Sequence, residues 1–151
     1  MNTTEMKRYN SAEWNFALDI PKRWHAFPPV SSNSPLEVIR FASREDGTHL
    51  VIIFRGPRDP KKPLKEACDE AQQILAGKGF GNFSTTDTAI GARAALMLEF
   101  DRPQDGGIWS CREYFLAEDT LQYTLGFGTN NKDGMFGLYD RMARSFEFSA
   151  E

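Results

Sequence analysis

The chain has 151 residues, of which 40% are hydrophobic and 26% charged, and this size and composition are those of one globular domain. Its net charge of -3 argues against a nucleic-acid partner, because nucleic-acid binders usually present a basic face. No apolar run is long enough to span a membrane, and the polar opening MNTTEMKRYN lacks the apolar stretch of a signal peptide. We therefore expect a single domain over residues 1–151 in the cytoplasm. An envelope location is left open for a chain whose signal has been removed.

The first predicted element is a strand that leads into a loop. Along Trp14–Ile20, large apolar residues alternate with polar or small ones, which predicts a strand with one buried face. Pro21 ends this strand, because proline cannot donate a hydrogen bond to the ladder. The composition of HAFPPVSSNSP, residues 25–35, predicts an irregular loop.

A hairpin and a helix come next. LEVIRFAS and THLVIIFRG flank REDG, so Asp46 and Gly47 are expected to form a hairpin turn. The continuous apolar run Leu50–Phe54 indicates a strand buried on both faces. Apolar residues then recur on one helical stripe, which predicts a helix over residues 63–77.

A strand, a hairpin and a helix complete the chain. STTDTAIGARAALMLEF, residues 84–100, predicts one strand. IWSCREYFLAEDTLQYTLGFG predicts a second hairpin with its tip near Ala117–Thr120. An apolar stripe predicts a terminal helix over residues 135–146.

These elements predict a protein of the α+β class. The short connections favour a mostly antiparallel sheet of roughly five to seven strands. Two main helices are expected to cover its two faces. The core is expected to contain Phe16, Leu18, Ile52, Phe54, Leu96, Leu98, Phe115, Leu125 and Phe146.

Four stretches resemble the PsbP-like proteins. WNFALDIPKRW is similar to the first strand of that superfamily, and GARAALMLEF resembles its Gly-x-x-Ala strand. REYFLAEDTLQYTLGF is similar to its aromatic hairpin, and MARSFEF to its closing Ser-Phe helix end. The resemblance spans Tyr9 to Phe148 and implies a three-layer α/β/α sandwich. The superfamily includes photosystem II extrinsic proteins, a Ran-binding import factor, DcrB-like bacterial proteins and chaperones for type VI secretion effectors.

The residues favour no catalytic, metal or cofactor site. The only histidines are His25 and His49, and neither stands in a metal-ligand spacing or beside a nucleophile motif. Glu99, Asp101 and Glu113 are candidates to cluster on neighbouring strands, although charges on strands are usually just solvated. The PsbP-like resemblance carries over no active site either, because the superfamily shares no catalytic residue set. We therefore expect no catalytic residue, no metal and no cofactor.

The cysteines and the glycine-rich stretch are interpreted as structural. Cys68 and Cys111 belong to no CxxC pair and are predicted to be buried free thiols, with a disulfide left open. The glycines of GKGFGNF follow a predicted helix, whereas a phosphate-binding loop precedes one. They are therefore predicted to cap the helix and form a turn.

The remaining function classes are a binding module, a ligand-binding protein or enzyme, and a structural subunit of an envelope assembly. The first is a non-catalytic adaptor or chaperone for a protein partner, which would present an apolar groove to an amphipathic helix. The alternative is a small-ligand-binding protein or an enzyme with a pocket between sheet and helix, and a deep pocket holding a perturbed acid would favour it. A homodimer is left open.

The predicted binding residues lie where the first strand leaves the sheet. Trp24 is interpreted either as a lid on the sheet edge or, together with Phe27, as part of a partner site. Phe27, Pro28, Pro29 and Val30 are predicted to form an apolar lip that contacts the partner, because aromatic residues dominate binding hot spots.

Overall fold

The computed structural model describes residues 4–43 and 48–148. These residues form ten strands and two helices. The strands are β1 (Met6–Ser11), β2 (Phe16–Pro21), β3 (His25–Phe27), β4 (Glu37–Ala42), β5 (His49–Pro57), β6 (Gly81–Ile90), β7 (Arg93–Gln104), β8 (Gly107–Glu118), β9 (Leu121–Thr129) and β10 (Glu147–Phe148). The helices are α1 (Leu64–Gly77) and α2 (Lys132–Arg144).

The described strands form a large sheet and a small one, and their pairings are antiparallel. The large sheet has the order β3-β4-β5-β9-β8-β7-β6, which places β9 at its centre. The small sheet has the order β1-β2-β10. Strands β8 and β9 form the predicted second hairpin, and its tip lies between the paired residues Glu118 and Leu121.

The helices cover opposite faces of the large sheet. Helix α1 packs on β6, β7 and β8, where Cys68 contacts a cluster that includes Leu98 and Phe115. Helix α2 and the small sheet cover the other face, in a larger core that includes Phe41 and Tyr139. The predicted α+β class, with an antiparallel sheet between two main helices, is confirmed. Within residues 4–43 and 48–148, no helix is long and apolar enough to cross a membrane.

Two of the predicted core residues are less buried than expected. Ile52 and Phe54 are half-buried, whereas Val51 and Ile53 on the opposite face of β5 are fully buried. The run was expected to be buried on both faces. The expectation was wrong because α1 packs over β6, β7 and β8 and leaves the same face of β5 uncovered. The other predicted core residues are buried.

Several elements differ from the predicted ones. Residues 84–100 belong to the β6/β7 hairpin rather than to one strand, because Gly91, with φ of 61°, lets the chain reverse there. Strand β3 lies inside the segment 25–35 that was expected to be a loop. Helix α2 begins at Lys132, before the predicted start, because the Asn131 side chain accepts a hydrogen bond from the Gly134 backbone and caps it. The predicted Asp46–Gly47 turn lies outside the described residues.

Candidate functional site

A groove of about 700 Å³ lies between α1 and the part of the large sheet that α1 leaves uncovered. We call it the sheet–helix groove. Its floor is formed by β5, β9 and β8, and one wall is the α1 face that carries Ala71 and Ile74. The opposite wall is the start of β4 and the residues before it, including Leu36 and Arg40.

Two glycines of the central strand belong to the floor of the groove. Side chains alternate between the two faces of a strand, so Thr124, Gly126 and Gly128 of β9 point to the floor. A β-carbon on Gly126 would lie 3.2 Å from a ring carbon of Phe54, and one on Gly128 would lie 2.6 Å from the ring of Trp109. The ring of Trp109 therefore fills the space above Gly128, and the trough that remains lies at Gly126, beside Phe54 and the Glu113 carboxyl group.

Apolar side chains are exposed on both rims of the groove. Leu36 is 46% exposed on the β4 side, and Ile74 is 61% exposed on α1. Gly56 lets Leu36 lie over the end of β5, because a β-carbon there would be 3.2 Å from the leucine methyl groups. Exposed apolar residues that flank a concave surface often mark an interaction site.

One carboxyl group lies on the floor of the groove. Across the ladder, Glu113 pairs with Gly126 on one side and with Leu98 on the other. It has no hydrogen bond or ion pair with any of the described residues. Burial raises the pKa of Glu113 from 4.5 to about 7, and the charge of Lys78 counteracts this only in part.

A buried ion pair fixes the β4 rim. The Glu37 side chain is fully buried and accepts hydrogen bonds from the Val30 backbone at 2.9 Å and from the Asn33 amide at 2.8 Å. It also accepts from Arg40, through Nε and through Nη2, the latter at 3.1 Å. Burial acts to raise the pKa of Glu37, but the hydrogen bonds from Arg40, Asn33 and Val30 outweigh it and lower the pKa.

We expect Glu37→Gln to lower the free energy of unfolding by about 1–3 kcal/mol at neutral pH, because the hydrogen bonds to a charged acceptor are lost. A lowered folded-state pKa stabilises the protein above the ordinary carboxyl pKa, and this contribution is lost as the pH falls through the folded value. The difference between the two proteins should therefore shrink in acid. Urea unfolding at neutral and acidic pH measures it. Glu66→Gln on exposed α1 is the control, and an equal loss in both variants would contradict the expectation.

The residues predicted to bind a partner lie outside the groove lining. Trp24 is 6% exposed and belongs to the core on the α2 side, so its ring is not presented to solvent. Phe27 is half-buried, whereas Pro28, Pro29 and Val30 are exposed. The hydrogen bond from Val30 to Glu37 ties this segment to the β4 rim. Binding of a partner by these residues stays a prediction.

The three acidic candidates Glu99, Asp101 and Glu113 do not form a cluster. Residues paired across the ladder share a face, so Glu113 faces the groove with Leu98, whereas Glu99 faces the other side with Arg112. Glu99 pairs there with Arg112 at 3.0 Å, and Asp101 accepts from Asn82 at 2.8 Å. Among the described residues, no group of three or more His, Cys, Asp and Glu side chains is placed to hold a metal ion.

The two cysteines are buried and free. Cys111 lines the groove, and burial raises the pKa of its thiol to about 12, with the charge of Glu113 adding to the effect. A thiol with such a pKa stays protonated and is a poor nucleophile at neutral pH. Burial likewise raises the pKa of the Cys68 thiol.

Sequence reasoning missed the floor of the groove. It treated Gly126, Gly128 and Trp109 as parts of a hairpin and Glu113 as a solvated charge. The sequence of the second hairpin contains a pattern that could have indicated the groove. With its tip at Ala117–Thr120, the register places Glu113 opposite Gly126, and a charge beside a glycine in a central strand indicates a cavity rather than a packed layer.

Several solved proteins of low sequence identity have a similar fold, and three of them are CyanoP, LpqN and PA94. The solution structure of cyanobacterial PsbP (CyanoP) from Synechocystis sp. PCC 6803 matches with a TM-score of 0.73 and 15% identity, over 97% of this chain and 94% of that one. LpqN, which is involved in cell envelope biogenesis of Mycobacterium tuberculosis, matches with a TM-score of 0.68 and 11% identity, over 99% and 93%. PA94, a protein of unknown function from Pseudomonas aeruginosa, matches with a TM-score of 0.60 and 14% identity, over 97% and 99%.

No family model matches the chain, and no curated protein matches it in sequence. At identities of 11% to 15%, similarity to solved structures shows the fold and not the activity. The order of the strands, the two covering helices and these similarities agree with the resemblance noted in the sequence. The chain therefore has the PsbP-like fold.

Proposed function

We propose that the chain is a non-catalytic binding module, an adaptor or chaperone for a protein partner, and that the sheet–helix groove receives an apolar segment of that partner. The observation that carries the proposal is the apolar trough at Gly126 with exposed Leu36 and Ile74 on its two rims. A helix laid into an apolar groove is a common mode of peptide recognition.

The rims favour a protein segment over a compact ligand. A small molecule seated on the floor would leave Leu36 and Ile74 in water, whereas a helix that rests on the trough would cover both. Burying apolar surface stabilises a complex by about 25 cal/mol per Å² of area removed from water. The exposed rims therefore support an occupant wider than the floor itself.

Site-specific photo-crosslinking in the native cell tests this proposal. With the crosslinker at Ile74, we expect capture of an apolar segment of a partner protein, identified by mass spectrometry of the crosslinked peptide. With the crosslinker at Ile108, which is 55% exposed but lies outside the groove lining, we expect no capture of that segment. Both positions are exposed isoleucines, so they differ chiefly in their place on the fold.

A groove-filling variant completes the test. In Gly126→Val, the added side chain enters the trough against Phe54 and the Glu113 carboxyl group. We expect it to abolish most of the capture at Ile74 while the protein stays folded, since strands accept β-branched residues. Overpacking should cost about 1–3 kcal/mol of unfolding free energy. Equal capture from Ile74 and Ile108, or undiminished capture by Gly126→Val, would contradict the proposal.

The exposed segment Phe27–Val30 would extend the same surface. Its backbone is held against the β4 rim by Glu37, so an occupant that passes over Leu36 would meet it next. We expect Phe27→Ala to weaken capture at Ile74 without a large loss of stability. The cytoplasmic location, the type VI effector chaperone role, the homodimer and the single domain over 1–151 stay predictions.

A small amphipathic ligand is the second candidate, and Glu113 favours it. The groove volume falls within the range of small-molecule sites, and a lone carboxyl group on an apolar floor is typical of a site that orients a ligand. Native mass spectrometry of the protein purified without detergent tests this candidate. A bound mass that Gly126→Val lacks would support it, and an unliganded wild-type protein with partner capture would exclude it.

A further inference from the structure

Glu113 stands in a row of residues that share the groove face of the sheet. Strand by strand, the ladder partners from β4 to β7 are Arg40, Ile52, Gly126, Glu113 and Leu98. The neighbours of the carboxyl group are therefore a leucine on one side and a glycine followed by an isoleucine on the other. A charge in this row faces whatever lies in the groove.

The basic side chains that line the groove are engaged elsewhere. Arg40 is held by Glu37 at the β4 rim. Arg102 lies over the ring of Phe80, 4.6 Å from its centroid. Arg55 lies over the ring of Trp14, 5.1 Å from its centroid. Glu113 therefore lacks a cationic partner from the described residues, although three arginines line the same groove.

Lys78, at the end of α1, is the described cation whose charge reaches Glu113. It is exposed and forms no ion pair with the carboxyl group among the described residues. The charge of Lys78 lowers the pKa of Glu113 by less than burial raises it. The carboxyl group remains available to an occupant.

An apolar occupant would remove the water that now reaches the groove. A carboxylate covered by apolar surface without a partner is strongly disfavoured, whereas one that meets a cation keeps a charge-assisted hydrogen bond. Occupants that differ in one basic side chain would therefore bind with very different affinities. A wrong partner is disfavoured as well as the right one favoured, most strongly above a pH of about 7, where Glu113 is ionised.

We propose that Glu113 selects the occupant, and that the partner segment carries a single lysine or arginine within its apolar stretch, which pairs with Glu113 on the groove floor. This inference rests on the proposed function, because it assumes that the groove receives a protein segment. It adds the chemistry of that segment and the residue that recognises it.

Helical leucine–alanine peptides with neutral polyethylene glycol tails test the selection. In one series a single lysine is moved through one helical turn, so that one member faces the floor, and in the matched series norleucine replaces the lysine. For the wild-type protein, we expect at least one lysine peptide to bind about tenfold more tightly than its norleucine match, by fluorescence anisotropy. For Glu113→Gln, this preference should disappear.

Glu66→Gln is the matched control, because it removes the same charge from a part of α1 outside the groove lining. It should retain the preference for lysine. Equal binding of both series by the wild-type protein, or an unchanged preference in Glu113→Gln, would overturn the role of Glu113 and leave the groove as the binding site. If no peptide of either series binds, the proposed function fails as well.

Discussion

Replacing Trp24 by alanine is expected to lower the free energy of unfolding by about 3–5 kcal/mol. The side chain is 6% exposed and packs in the core between the large sheet and α2. Its backbone N–H donates to the Pro21 carbonyl at 2.9 Å, so the step from β2 to β3 places the ring inward. Removal of the ring would leave a cavity that the surrounding strands cannot fill.

Phe27→Ala is the matched variant for this measurement. Phe27 is half-buried on β3, the edge strand of the large sheet next to β4, and its truncation should cost clearly less than that of Trp24. Chemical denaturation of both variants and of the wild type gives the comparison. Similar losses in the two variants would show that Trp24 does not belong to the core.

Glu113→Gln is expected to stabilise the protein, by about 2–3 kcal/mol above neutral pH. Burial raises the folded-state pKa of Glu113 from 4.5 to about 7, and each unit corresponds to about 1.4 kcal/mol. Between these values the folded state binds a proton that the unfolded state has released, so stability falls as the pH rises through this window. Glutamine has the same shape and avoids the loss.

The pH dependence distinguishes this effect from a general change in packing. Below the ordinary carboxyl pKa, Glu113 is protonated in both states, so the two proteins should unfold at similar denaturant concentrations. The gap should open from pH 4.5 to about 7 and then stay constant. Glu70→Gln on the exposed rim should show no such gap. A gap of the same size at every pH would contradict the burial of an unpaired acid.

Much of the fold could be predicted because its signals are local. The tip at Ala117–Thr120 and the stripe of α1 follow from residues close together in the chain, and the structure has both. Strands β1 and β3 were not predicted, because their own residues carry little local strand signal. Most residues of β1 are polar, and β3 has only three residues. They become strands because β2 and β4 offer them ladder partners.

The groove could not be predicted because it depends on distant partners. Ile52 was expected in the core, and its exposure depends on where α1 lies across the sheet, which periodicity does not determine. Glu113 becomes a floor residue only when β9 pairs on one side of it and Gly126 leaves space there. The same glutamate beside a large side chain would be an ordinary solvated charge.

The position of Trp109 gives the protein its own optical reporter. Its indole ring lies across Gly128 and is half-buried in the groove floor. Trp14 and Trp24 pack with the core on the opposite face of the sheet, where an occupant of the groove would not reach them. Indole emission shifts to shorter wavelengths when water leaves the ring. Occupancy could therefore be followed without a label, as a blue shift that Trp109→Phe would remove.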